Sequence, residues 1–473
     1  MGSPKGVCPG GEQNTKTATT STNMTRPNYL GAGSLLLLIL LIGWACRPPL
    51  PESDFFLGGI QINEPSHRDW VRTLRDVGMN TVSVTVYARQ GIWDSDNIWW
   101  EEHEPYVIKE IRTAKRAGMK VVLIPRIALD HYFSENAFLW HGMTMPATDS
   151  LLQNWFHWYG VFLERWARVA DRYDVDVLAI GSELRLLSAT RPLTTIPELE
   201  AYYLHPDRQE EYIADRMAFS SQIPPEDLWV RGKEVNYASL ENYLRDEVAA
   251  KQTWARQVAY APQADPLAAI NQRRATVLDH WYALIAQIRG VYPGALTYAA
   301  NFDNYQEVQF WDSLDYIGIN AYFKLRELQP PSDTMSQYDE IYHSWKGVFA
   351  ELADFQQQRG LDHKVLFTEL GYIYRQNCTL MPWEGFGFSI AEASGEKELL
   401  VWSQQKPDQQ ERTLAVRALH AINREYDLLR GILYWKLTTK DYHLPYEPFA
   451  LHLQREGADP LQEALLEFTK PEP

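Results

Sequence analysis

Cysteine is scarce in this chain of 473 residues: Cys8, Cys46 and Cys378 form no even or regularly spaced set. Neither a disulfide framework nor a cysteine-based metal site is indicated. Basic charge is also in short supply, with 45 lysines and arginines against 61 aspartates and glutamates, a formal net charge of -16 and a pI near 5.3. Without a basic field to hold phosphates, nucleic acid is not expected as a partner, and a neutral ligand suits the chain better. The GxGxxG and GxxxxGK[ST] strings of nucleotide-binding folds are absent, as are the GxSxG elbow of serine hydrolases and the HExxH spacing of a metal site. No cofactor and no metal are expected. What the chain does have is apolar and aromatic surface: 45% of residues are hydrophobic, with 17 tryptophans and 26 tyrosines. That load exceeds ordinary core needs, and flat aromatic rings pack well on the flat faces of sugars.

Near the N-terminus, "SLLLLILLIGWA" (34–45) follows Arg26 and runs directly into Cys46. The run is short for a membrane span and reads as an export signal. Translation from Met24 would place a short basic stretch directly before it. Cys46 resembles the acylated first residue of a bacterial lipoprotein: Ala45 suits the preceding position, whereas Trp44 and Gly43 depart from the pattern. Acylation of Cys46, an uncleaved anchor and plain secretion all place the remainder outside the cytoplasm, and the first two give it a membrane partner. Residues 1–53 are thus read as signal, anchor and linker, and 54–473 as the folded domain.

From residue 54 onward, short β-rich runs alternate with amphipathic stretches. The runs are "FFLGGIQI" (55–62), "NTVSVTVYA" (80–88), "KVVLIPRI" (120–127), "VDVLAIGSEL" (175–184), "ALTYAANF" (295–302), "DYIGINAYF" (315–323), "KVLFTELGY" (364–372) and "GILYWKL" (431–437). A glycine closes a helical stretch before the next run, as in "RAGMKVVLI". Eight such units predict an α/β fold, a closed (β/α)8 TIM barrel, over an open doubly wound sheet. The connection after the fifth run is too short for a full helix.

Two connections are oversized, about 185–274 after strand four and 373–407 after strand seven, and both leave the barrel face that carries active sites. The first contains two helical stretches and reads as a small subdomain, either a solvated decoration or a substrate wall. The second carries Trp383, Phe386 and Phe388 in a glycine-rich setting and reads as a lip over a cleft.

Strands four and seven end alike, in "IGSEL" and "FTELGY", each with a glutamate behind a small hydroxyl residue: Glu183 and Glu369. A buried apolar strand has no structural need to finish on a carboxylate. Two such groups facing each other across a barrel mouth match the demand of glycosidic hydrolysis, one protonated to release the leaving oxygen and one ionised to attack or stabilise the charged centre. Two unrelated glutamates, each satisfied by local hydrogen bonds, are the competing account.

On these residues the chain resembles clan A glycoside hydrolases, most closely family 113 and its β-mannanases, over roughly 55–455 and most strongly in "NTVSVTVYARQGIW", "LAIGSELR", "DYIGINAYF", "LFTELGY" and "GILYWKL". The resemblance implies a retaining, double-displacement hydrolase of β-linked oligo- or polysaccharides, with Glu183 as acid/base and Glu369 as nucleophile. It further implies that Tyr322 donates to the nucleophile, although a core tyrosine would read the same way. Ser182 stands where the clan usually has an asparagine that binds the sugar 2-hydroxyl, which puts mannan preference in question. Trp435 is placed to floor the cleavage subsite or to fill the barrel interior; Lys436, of opposite strand parity, is expected to point away unless the strand kinks at its end. Tyr87, Arg89, Arg126 and Asn301 are strand-end polar groups, of which Tyr87 and Asn301 are expected to contact substrate, while Arg126 could brace a glutamate or close a structural ion pair. Asp130, His131, Trp140 and His141 follow strand three without a metal-ligand spacing. A non-catalytic carbohydrate-binding barrel lipoprotein is the alternative function, disfavoured by the presence of both glutamates.

Overall fold

The computed structural model describes residues 53–470 except 102–103, 189–205, 219–228, 231–232, 237–239, 259–265, 328–334, 384–387, 394–395, 402–405 and 445–446. The apolar run, Cys46 and Phe386 lie outside the described residues.

All eight expected strands form: β1 (Phe56–Gln61), β2 (Thr81–Gln90), β3 (Lys120–Leu129), β4 (Val177–Ser182), β5 (Ala295–Asn301), β6 (Ile317–Asn320), β7 (Val365–Leu370) and β8 (Leu429–Thr438). Each pairs in parallel with its sequence neighbours, and β1 pairs with both β2 and β8, which closes the barrel. Strand alternation sorts the side chains. In β2, Val82, Val84, Val86 and Ala88 join the large core shared with the helices, whereas Ser83 and Thr85 face inward beside Arg126 and Glu369. Phe56, Val122, Ile124, Val177, Ala179, Leu366 and Leu433 form a separate cluster that fills the barrel interior. The lower barrel is therefore solid, and chemistry is confined to its mouth.

Around the barrel run α1 (His67–Asp76), α2 (Glu104–Arg116), α3 (Asp149–Arg172), α4 (Pro266–Arg289), α5 (Gln337–Arg359) and α6 (Gln410–Tyr426). Ser66, Thr148 and Ser336 cap α1, α3 and α5 with side-chain acceptors. Gly118, the expected turn residue of "RAGMKVVLI", has φ 74°, a left-handed conformation that glycine adopts without steric cost. Between β5 and β6 the described chain makes two single turns, Tyr305–Glu307 and Trp311–Ser313, instead of a helix.

The long connection after β4 contains helices Pro206–Ala218 and Leu240–Val258 and a short strand pair. Its last helical stretch begins at Pro266, before the expected limit near 274, and is continuous with the barrel helix α4. After β7, strands Phe388–Ala393 and Glu396–Val401 pair antiparallel where a loop was read. Trp383 of that connection stacks on Phe302 at the end of β5, with ring centroids 5.2 Å apart. Among the described residues no helix is long and apolar enough to cross a membrane.

Regular pairing breaks in the three strands that carry site residues. Between Ala179 and Ser182, β4 has one residue more than β5; between Phe367 and Glu369, β7 has one more than β6; and between Tyr434 and Leu437, β8 has one more than β1. Such bulges re-aim side chains at the rim of a sheet.

Candidate active site

Glu183 is held by backbone as much as by side chain. Gly181, inside the β4 bulge, permits close packing: a Cβ there would stand 3.1 Å from the Tyr159 hydroxyl oxygen and 3.2 Å from the Tyr298 ring. Two residues on, Glu183 has φ 56°, a left-handed conformation that costs a non-glycine residue roughly 1–2 kcal/mol. The N–H of Glu183 donates to the Ala299 carbonyl at 2.8 Å, the N–H of Leu184 donates to the Tyr298 hydroxyl at 2.9 Å, and Arg185 pairs with Asp303. These contacts tie the end of β4 to β5 and turn the carboxylate toward the barrel mouth.

Glu369 ends β7 almost fully buried. Arg126, the inward residue near the end of β3, donates to one of its carboxylate oxygens, and the Tyr322 hydroxyl donates to the other at 2.7 Å. Burial, followed by the charge of Glu183, pushes the Tyr322 hydroxyl well above its ordinary range, so it remains a donor. The Arg126 guanidinium also lies 5.3 Å from the centre of the Trp435 ring, within cation–π range.

The other terminal nitrogen of Arg126 stands 3.7 Å from Glu183, so a single guanidinium reaches both strand-end carboxylates. Glu183 has two further partners: Asn301 donates to one oxygen at 3.0 Å, and Nε2 of His141 lies 2.9 Å from the other. Burial alone drives the Glu183 carboxyl upward, but the hydrogen bond and charge of His141, with the charge of Arg126, outweigh it and bring it down to about 2. In the unliganded protein Glu183 is therefore an anion at neutral pH.

The other expected site residues divide. Tyr87 is half exposed and sits opposite Arg126 in the β2–β3 register, at the rim. Arg89 stands 3.8 Å from Glu101. Asn301 directs its amide nitrogen at Glu183, and its oxygen has no hydrogen-bond partner among the described residues. Ser182 is fully buried, and its hydroxyl has no partner among the described residues either. Lys436 does not face away from Trp435: its Nζ lies 4.7 Å from the ring centre and pairs with Glu447, because the β8 bulge interrupts the alternation from which the opposite was expected.

In the loop after β3, His131 bonds to the Leu139 carbonyl and Asp130 accepts from the N–H of Tyr132, both local contacts. His141 alone among these residues reaches a catalytic candidate. Asn136, which the sequence did not single out, organises the loop. Fully buried, it donates to the Gly91 and Asp130 carbonyls and accepts from the N–H of Trp93. Its one signal was a polar amide within an otherwise aromatic stretch. Among the described residues no group of three or more histidine, cysteine, aspartate or glutamate side chains is arranged to hold a metal ion.

The sequence profile of Glycoside Hydrolase Family 113 matches residues 60–191 and 270–418 and leaves the intervening 192–269 unmatched. No curated protein matches the chain in sequence. Among solved structures, the chain is similar to a family 113 β-1,4-mannanase (14% identity, 88% of this chain and 98% of that one, TM-score 0.52). It is similar also to the family 113 β-mannanase AaManA from Alicyclobacillus acidocaldarius, solved in complex with ManMIm (14% identity, 89% and 99% coverage, TM-score 0.53). At such identities the likeness is one of fold.

Proposed function

Since the chain belongs to glycoside hydrolase family 113, we propose that its substrate is a β-linked, mannan-type glycan and that it cleaves this with retention, by double displacement between Glu369 and Glu183. The observation that carries this reading is the shared Arg126 fork. Two carboxylates in reach of one guanidinium lie close enough to act on the same glycosidic bond; a covalent glycosyl intermediate requires them about 5 to 5.5 Å apart, inversion about 6.5 to 9.5 Å.

Each residue then has a task. Glu369, kept ionised by Arg126 and oriented by Tyr322, attacks the anomeric carbon; the bond to the leaving oxygen breaks, and that oxygen takes its proton from Glu183. In the second step Glu183 removes a proton from water, the water oxygen bonds to the anomeric carbon, and Glu369 departs as a carboxylate. Trp435 offers a ring face to the sugar at the cleavage point. Tyr87 at the rim and the free oxygen of Asn301 are placed to bind hydroxyls, whereas Ser182 reaches a sugar only if the end of β4 opens.

Hydrolysis of β-mannan oligosaccharides followed by proton NMR tests the proposal, with xylan and β-glucan oligosaccharides as controls. The β-anomer is expected first; an initial α-anomer rules out double displacement, and equal turnover on the controls rules out mannan preference. With azide and an activated aryl β-mannoside, Glu369→Ala is expected to form the α-azide by a single inversion, and Glu183→Ala the β-azide by two.

A further inference from the structure

A general acid must hold a proton when the substrate arrives, yet Glu183 is surrounded by groups that favour its anion. His141 resolves the conflict, because its Nε2 lies 2.9 Å from the carboxylate and a proton in that bond belongs to the pair. We propose that His141 is a positioning residue that keeps the proton used by Glu183 in the site, and that the helix Leu240–Val258 of the insertion clamps the loop carrying it. This inference rests on the reading of Glu183 as the acid/base.

The clamp is visible in the packing. Trp254 of that helix is buried, and its indole N–H donates to the carbonyl of Met143, two residues beyond His141, at 3.1 Å. Its ring meets Trp93 edge-on at 6.5 Å, and the Trp93 N–H donates to the side-chain oxygen of Asn136. Tyr243, about three turns earlier on the same face of the helix, packs edge-on against Phe138 at 5.3 Å. At the start of α4, Arg273 extends the same grip by donating to the Pro146 carbonyl and to Asp149. Helix Leu240–Val258 lies within 192–269, the stretch the family profile leaves unmatched, so the clamp is a feature of this chain added to the common barrel.

The other charged and titratable groups around the pair come from five strands and their ends. Arg126 on β3 faces Glu183 directly, and through it the pair senses Glu369 on β7; Tyr322 follows β6, Tyr298 lies on β5, and Arg185 is committed to Asp303. Of these, Arg126 and Glu369 offset each other in charge, which leaves His141, 2.9 Å away, as the partner able to exchange a proton with Glu183. With one proton between them, the pair is competent: the proton passes from Nε2 to the carboxylate as the leaving oxygen develops charge and takes the proton from Glu183. When the pair loses that proton, acid assistance ends.

The test compares phenyl and 2,4-dinitrophenyl β-mannobiosides over a range of pH with the full-length protein. In His141→Gln the basic limb of kcat/KM for the phenyl substrate is expected to move toward acid by about one pH unit or more. Turnover of this substrate should fall at least roughly tenfold further than that of the dinitrophenyl substrate, which needs little acid help. In Trp254→Phe, which keeps the ring but removes the N–H, the limb is expected to move in the same direction by less. A second readout does not depend on activity: the His141 ring resonances, identified by their loss in His141→Gln, should move in Glu183→Ala, which removes the carboxylate that Nε2 contacts. If Glu183→Ala loses phenyl turnover and is rescued by azide while His141→Gln keeps the wild-type limb and leaving-group dependence, this inference is overturned and the acid/base reading survives. If Glu183→Ala itself behaves like wild type, that reading falls and takes the inference with it. A limb in Trp254→Phe that coincides with wild type overturns the clamp.

Discussion

Arg126 on β3 spans the barrel mouth to donate to Glu369 on β7, and the same guanidinium faces Glu183. A fixed cation between two carboxylates favours the charged form of each, where side by side they would otherwise compete to take up a proton. Replacing Arg126 by methionine removes the charge and keeps much of the volume. Loss of a charge-assisted donor aimed at the nucleophile is expected to lower kcat/KM by roughly a hundredfold, about 2.7 kcal/mol of barrier. The acid limb of kcat/KM should also move to higher pH, because without the cation Glu369 takes up a proton more readily. Arg126→Lys, with charge but no fork, is expected between the two. A pH–rate profile with an unmoved acid limb would show that Arg126 acts on structure alone.

Tyr322 makes a separable contribution. Its hydroxyl bond to Glu369 is charge-assisted, worth about 1.5–3 kcal/mol, so Tyr322→Phe should lower kcat roughly ten- to a hundredfold. The phenyl ring still packs against Phe449, so KM and thermal stability should change little. Steady-state kinetics beside a thermal melt distinguish this from misfolding: a large drop in melting temperature would count against the assignment.

The sequence made the barrel legible because a strand packed on both faces leaves a short apolar run, and a βα unit leaves a run, a helix stripe and a glycine. Glu183 and Glu369 were legible for the same reason, each a carboxylate where an apolar strand should simply stop. Arg126 could be found as an inward strand-end cation, but whether it served one glutamate or two depends on the bulges in β4 and β7, which leave no periodic mark. Lys436 was misplaced by that omission, since parity fails across the β8 bulge. His141 lay hidden for a different cause: its loop is aperiodic, and what holds the loop is Trp254, more than a hundred residues later. The apolar residues of α4 are spread around the helix and give too weak a stripe to mark where the insertion ends and the barrel helix begins.

The reading of residues 34–46 as an export signal or anchor is open to a direct test. If Cys46 is acylated, Cys46→Ala should move the protein from the membrane fraction to the soluble one, by removing the transfer of acyl chains into the bilayer. An uncleaved anchor would keep the variant in the membrane, and plain secretion would find wild type and variant alike outside it. Fractionation followed by the intact mass of the wild-type protein separates the three outcomes.

Glu183 also predicts how stability depends on pH. Its carboxyl titrates at about 2 in the folded protein, against an ordinary value of 4.5, with its side chain 14% exposed. A folded-state value below the unfolded one contributes stability that is fully present above the unfolded value and is lost as pH falls through the folded one. The window is thus from about pH 4.5 down to about pH 2, and the amplitude is up to about 3 kcal/mol. Glu183→Gln keeps a hydrogen-bonding side chain but cannot ionise. It should therefore be less stable than wild type at pH 6, and the gap should close as the pH is lowered, because wild type loses an advantage that the variant never had. Urea unfolding of both proteins at pH 6, 4 and 3 measures the gap. Parallel decline of the two proteins would mean that Glu183 is already protonated in the folded state, which would contradict the charge environment set by His141 and Arg126.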